Sequence, residues 1–324
     1  MAGTYRLPSI GALGAMVLIA GCQSAPQAPA FELAEKPWEF DGVAGRELVT
    51  DHFDVRTTIG DRVLVDALPK FLETCHRRYE ALTLVHAEPG ERLPTYVFFT
   101  RKQWERFSFA TYPSEAPNYQ NIQNGGYTRG DTAVLYWLGR SGTLGVLAHE
   151  GLHQFVTRHW GSKGPVPAWI NEGLATQMEA YELRDGVPVF EPHKNLFRRN
   201  DLRDALVARE RGLYDLPQLL RMDAGHAVRG RERSVGVYYA QVWSTVLFLL
   251  AGPNETYRDG FVALRKDMGT EQMRIGLSAY AAATPGAERM SLGELMFRKY
   301  ITEDYDVFMA AYLAFAKELV GFRA

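Results

Sequence analysis

Cysteine is nearly missing from this chain. Among 324 residues only Cys22 and Cys75 occur, which excludes both a disulfide framework and a cysteine-rich metal site. An excess of either charge is missing too: 36 Lys and Arg stand against 38 Asp and Glu, a formal charge of -2. That leaves no basic footprint for nucleic acid. No internal repeat is apparent, and beyond the first thirty residues no run has the length of a membrane span. What is present is core material. Hydrophobic residues make up 46% of the chain, with 16 Tyr, 17 Phe and 6 Trp, enough for one large or two small cores and too much for a disordered polypeptide.

The first thirty residues read as an address. Arg6 gives a short positive region, and Ile10 to Ala20 is an apolar run too short to span a bilayer. It ends in Leu18-Ile19-Ala20-Gly21-Cys22, which resembles the bacterial lipobox, where the signal is cut before a lipidated cysteine. The expectation is a signal peptide over 1–21, acylation at Cys22 and a Pro/Ala-rich tether after it. Gln23 after the cysteine points to the outer membrane facing the periplasm. With Cys22 lipidated, Cys75 is expected to be a small buried hydrophobe.

Further along, Phe53 to Thr57 alternates like a strand, and Asp61 to Leu84 has helical spacing through Leu64, Leu68, Phe71, Leu72, Cys75, Tyr79 and Leu82. Thr95 to Phe99, bounded upstream by Pro94, and Thr132 to Trp137, after the Asn124-Gly125-Gly126 turn signal, read as strands. Beyond Ser141 the pattern is mainly helical, apart from a hairpin around Arg184-Asp185-Gly186. Strands first and helices later predict an α+β fold: an N-terminal mixed sheet with a helix, then an α-rich half.

The chemistry centres on His149-Glu150-Gly151-Leu152-His153. Residues four apart on a helix lie one turn apart on one face. Two imidazoles so placed can reach one cation, with Glu150 beside it. Leu144, Leu147, Ala148, Leu152, Phe155 and Val156 supply the apolar face of that helix, and Trp160-Gly161 then Pro165 its stop. With 8 His and 38 acidic residues, chance yields about 0.02 such patterns in a chain of this length.

Two residues compete to be the third ligand. His159 has the spacing of HExxHxxGxxH, but the glycine which that pattern needs for its sharp turn is replaced by β-branched Val156. On an uninterrupted helix His159 would lie well beyond His153, as a C-terminal residue favoured by the dipole. The other is Glu172, in Pro167-Ala168-Trp169-Ile170-Asn171-Glu172-Gly173-Leu174-Ala175. HExxH followed at this distance by W-x-N-E-G-x-A resembles the gluzincin zinc metallopeptidases, in particular their aminopeptidase-like branch. The resemblance implies a zincin-like fold and one Zn²⁺ held by His149, His153 and Glu172, the last from a second helix packed on the first. Pro167 near a helix start agrees with this.

The same resemblance implies further parts. Glu150 would carry the proton from the attacking water to the departing amine. Tyr239, or failing it Tyr238, would stabilise the oxyanion from the start of a later helix. Asn171 and Thr176 flank the ligand; Thr176 occupies the place where thermolysin-type enzymes carry a carboxylate that supports a zinc histidine. Thr132 to Trp137 takes the place of the family's substrate-pairing edge strand. These matches cover Leu135 to Leu250, and residues upstream agree only in style.

The resulting expectation is a peptidase of the bacterial cell envelope acting on a peptide or protein, with no nucleic-acid partner. It would have a tether over 22–46, a catalytic domain over 47–250 and a helical part over 251–324 packed on it. Asn124-Gly125-Gly126-Tyr127 is only a faint echo of the exopeptidase GxMxN motif, which favours internal cleavage. The alternative is an inactive zincin-fold lipoprotein acting as an envelope binding or scaffold protein. His52, His76, His86, His193 and His226 read as scattered structural or exposed residues, and Arg198-Arg199…Arg203 as a solvated helix face.

Overall fold

The computed structural model describes residues 27–88, 90–122, 125–208, 212–223 and 235–322. The expected signal peptide, Cys22, Asn124 and His226 lie outside them. The fold is α+β, with a mixed six-stranded sheet followed by a mainly helical half.

The sheet opens with two strands, the first of them and the start of the second inside the stretch 22–46 that the sequence reading gave to the tether. β1 (Ala34–Phe40) and β2 (Val43–Val49) form an antiparallel hairpin, turning at Asp41 and Gly42, both with positive φ. The ordered fold therefore begins well before Glu47. The apolar residues of this hairpin are mostly exposed or half-buried, and inward alternation is confined to Trp38 and Phe40 at the end of β1. β3 (Phe53–Thr57) pairs antiparallel with β2. α1 (Arg62–Thr83) then crosses to β4 (Leu93–Phe98), which lies parallel to β3. Pro94 falls inside β4 rather than before it.

α2 (Arg101–Thr111) and the short α3 (Ala116–Tyr119) lead to a second hairpin, β5 (Gly126–Arg129) and β6 (Thr132–Tyr136). The strand order is β1-β2-β3-β4-β6-β5. The expected edge strand, Thr132 to Trp137, is thus interior, parallel to β4 on one side. β5 takes the edge. Gly125 and Gly126, read as the turn before a strand, lead into β5 and begin it, and the turn falls at Gly130, with φ +62°.

α4 (Arg140–Val156) leaves the sheet, ends in a π-helical turn over Thr157–Gly161, and is followed by α5 (Ala168–Ala175). Hairpin β7 (Tyr181–Arg184) and β8 (Val187–Phe190) turns at Asp185 and Gly186, as expected. The remaining helices are α6 (Leu196–Val207), α7 (Leu216–Arg221), α8 (Val235–Ala251), α9 (Glu255–Asp267), α10 (Glu271–Ala283), α11 (Leu292–Tyr300) and α12 (Tyr305–Leu319). Among the described residues no single helix is long and apolar enough to cross a membrane.

Two packing relationships position the functional helices. α1 buries Leu64, Leu68, Phe71, Leu72, Cys75, Tyr79 and Leu82, and the Tyr79 hydroxyl donates to the Ala148 carbonyl of α4 at 3.0 Å. α5 lies close against α8: a Cβ at Gly173 would come within 2.3 Å of Val246 Cγ2. Only hydrogen at residue 173 allows that approach. The main core is one connected cluster from Leu48 to Val320, and it does not break at residue 250. A smaller aromatic cluster of Phe98, Trp104, Tyr127, Val134 and Tyr136 fills the other face of the sheet. Cys75 is a buried free thiol.

Candidate metal centre

The i, i+4 spacing on α4 does what helix geometry requires. The His149 and His153 rings have centroids 4.8 Å apart, and their Nε2 atoms are separated by 3.1 Å. α5 brings Glu172 across, so that its Oε2 lies 3.5 Å from His149 Nε2 and 3.4 Å from His153 Nε2. These three could hold a metal ion. Glu172 Oε2 is buried and finds no hydrogen-bond partner among the described residues.

The other ring nitrogens are tied down. His149 Nδ1 faces Glu179 Oε1 at 3.0 Å, and His153 Nδ1 faces Asn171 Oδ1 at 2.9 Å. Both partners are acceptors, so each Nδ1 carries the proton and each Nε2 turns a lone pair inward. In the neutral rings two nitrogens and an oxygen thus turn lone pairs toward one another at 3.1–3.5 Å. Such a convergence is repulsive until a positive charge enters it. The side chains feel that demand: burial pushes His149 down, but the Glu172 and Glu179 carboxylates more than reverse it, up to about 10. Burial likewise raises Glu172, and the two imidazoles overturn it, leaving its carboxyl far below the usual range.

Glu150 projects beside this group and is itself buried. The Thr128 hydroxyl on edge strand β5 donates to Glu150 Oε2 at 2.8 Å and lies 3.0 Å from its carbonyl oxygen. Gly126 on the same strand passes so close that a Cβ there would sit 3.4 Å from Glu150 Cγ. The edge strand and the acidic residue between the histidines are therefore in direct contact.

Several sequence expectations change here. Thr176 does not support a histidine; its hydroxyl donates to the Gly173 carbonyl. The supporting carboxylate is Glu179, seven residues past Glu172, just after the 3₁₀ turn that follows α5. Its only sequence signal was its charge. His159 stands apart from the cluster, packed on Phe155 at 4.3 Å between ring centroids. It lies in the terminal helical turn, as the sequence placed it, and burial lowers its pKa.

Arg198 is not on a solvated face: its side chain is 12% exposed and ion-paired to Glu179 at 2.7 Å. His52 and His76 are not scattered either. Their rings stack at 3.8 Å, and His52 Nδ1 meets the buried Glu73 at 2.7 Å.

Both tyrosines are where the sequence put them, near the start of α8. Tyr239 is half-buried. Burial raises its hydroxyl well above the ordinary value, with Glu172 and Glu150 adding to the rise. Tyr238 is sealed from solvent, its hydroxyl has no partner among the described residues, and Glu150 is not among the charges that act on it. Comparison with family models, with curated proteins and with solved structures found no match to this chain.

Proposed function

We propose that this chain is a zinc-dependent peptidase of the gluzincin kind, zincin-like in fold, held in the bacterial cell envelope through an acylated Cys22. The observation that carries the reading is the inward convergence of His149 Nε2, His153 Nε2 and Glu172 Oε2. Their separations of 3.1, 3.4 and 3.5 Å match the edge of a tetrahedron, about 3.3 Å, for bonds of the ~2.0–2.1 Å usual for zinc to nitrogen and oxygen. Two imidazoles and one carboxylate are also the donor set of catalytic zinc sites, which keep one position open. When bound, the ion supplies Lewis acidity, polarising a carbonyl and making water acidic enough to attack near neutral pH.

The protein's own groups do the rest. Glu150, anchored by Thr128, accepts the proton of the attacking water and delivers it to the departing amine. Tyr239, half-buried and close enough to feel both Glu150 and Glu172, donates its hydroxyl hydrogen bond to the developing oxyanion. β5, the last strand in the sheet order, would receive an extended substrate backbone. An internal peptide bond is the favoured target.

The test joins metal analysis of the purified chain with cleavage of a peptide library, with and without chelator. One equivalent of zinc and chelator-sensitive cleavage are expected, and Glu150→Gln should keep the zinc while losing turnover by orders of magnitude. A zinc-loaded wild type that cleaves nothing would overturn the peptidase reading in favour of an envelope binding protein.

A further inference from the structure

We infer that Arg198 is a positioning residue of the metal centre, a role that rests on the reading above. α6 starts at Leu196 behind an Asn195 cap, and the cap's Oδ1 accepts from the Arg198 backbone N–H at 3.2 Å. That places the guanidinium against Glu179. Arg198 Nε donates to Oε2 at 2.8 Å and Nη2 to Oε1 at 2.7 Å, a two-point fork. Asn195 Nδ2 adds a third bond, to Oε2 at 2.8 Å. With His149 Nδ1, the Glu179 carboxylate has four donors around it, which leaves neither oxygen free to turn.

The consequence falls on His149. An imidazole that binds a metal through Nε2 has its ring plane set by the group on Nδ1. That group is Glu179, and its own plane is set by a guanidinium that matches a carboxylate edge to edge. The chain of constraint runs from α6 through Arg198 and Glu179 to His149 on α4. Arg198 also lies over the Tyr239 ring, with its guanidinium carbon 4.9 Å from the centroid. One buried cation therefore braces a metal-facing imidazole and the tyrosine at the start of α8. A surface helix residue would do neither.

The test uses the full chain stripped of metal, titrated with Zn²⁺ against a competing chelator, with the absorption spectrum of the Co²⁺-loaded form as a second readout. Arg198→Met should weaken zinc binding by up to about tenfold, the low end of the cost of losing the group bonded directly to a metal-binding histidine, and shift the Co²⁺ bands. Arg198→Lys should recover only part, since an ammonium cannot pair both oxygens in one plane. In a Glu179→Gln background, Arg198→Met should add little, because the two act in series.

Zinc affinity and Co²⁺ spectrum unchanged in folded Arg198→Met would overturn the inference, as would fully additive losses in the double variant. If Arg198→Met does not fold, Arg198→Lys carries the same test, and wild-type affinity there sinks it. A wild type that takes up no zinc would fail differently, by removing the metal centre itself.

Discussion

Tyr79 on α1 reaches across to α4 and donates its hydroxyl hydrogen bond to the Ala148 carbonyl, directly over Gly151. A Cβ at residue 151 would stand 2.3 Å from that hydroxyl oxygen. The glycine between Glu150 and Leu152 is thus part of the contact that seats the histidine-bearing helix on the core. Gly151→Ala should destabilise the fold by about 1–3 kcal/mol through overpacking, read as a lowered denaturant midpoint. Removing the opposing atom with Tyr79→Phe should return part of that loss. Equal stability of Gly151→Ala and wild type would refute the tight-packing account.

The third ligand can be decided by two substitutions. Glu172→Ala leaves two nitrogens facing each other without their carboxylate, and zinc should be lost on gel filtration. His159→Ala removes a ring packed on Phe155 and should keep the full zinc content at some cost in stability. The opposite pattern would restore the His159 assignment.

Thr128 ties Glu150 to the edge strand through its hydroxyl. Thr128→Val keeps the shape and deletes the donor, so the carboxylate loses its fixed orientation. A fall in kcat on the order of tenfold, smaller than for Glu150→Gln, is expected with zinc content unchanged. Unchanged steady-state kinetics with the valine variant would show that the bond does not matter for turnover.

In the stacked pair His52 and His76, away from the candidate metal centre, the two rings respond to acid in opposite senses. Burial, helped by the neighbouring His52, lowers His76 to about 3. Below the ordinary value of about 6.5, the unfolded chain takes up a proton that the folded chain refuses. This contribution is therefore complete above that value and is lost as pH falls from it toward about 3, with a slope approaching 1.4 kcal/mol per pH unit. His52 runs the other way. Its hydrogen bond to Glu73 raises its pKa, so its contribution is present below the ordinary histidine value and is lost as pH rises through the raised one. His76→Phe should flatten the acid side of a stability-against-pH curve measured by urea unfolding. A curve parallel to wild type between pH 4 and 6 would rule His76 out.

Where one periodic element was enough, the sequence was legible. The helix over 62–83, the strand over 53–57 and the hairpin at Asp185-Gly186 follow from burial period and turn chemistry. So does the shared face of His149 and His153, because four residues make about one turn whatever surrounds them. The hairpin of β1 and β2 was not legible, since inward alternation is confined to Trp38 and Phe40 at the end of β1, whose first four residues are exposed.

The sequence by itself determined that two imidazoles stand one turn apart on one helix face, and its motif favoured Glu172, in the next helix behind Pro167, over His159 as the third group to meet them. Only the tertiary structure decided what holds them. Glu179, Arg198 and Thr128 come from a turn, a helix and an edge strand whose separations along the chain follow no repeat. Their meeting depends on how whole elements pack, and side-chain spacing along one element carries no information about that.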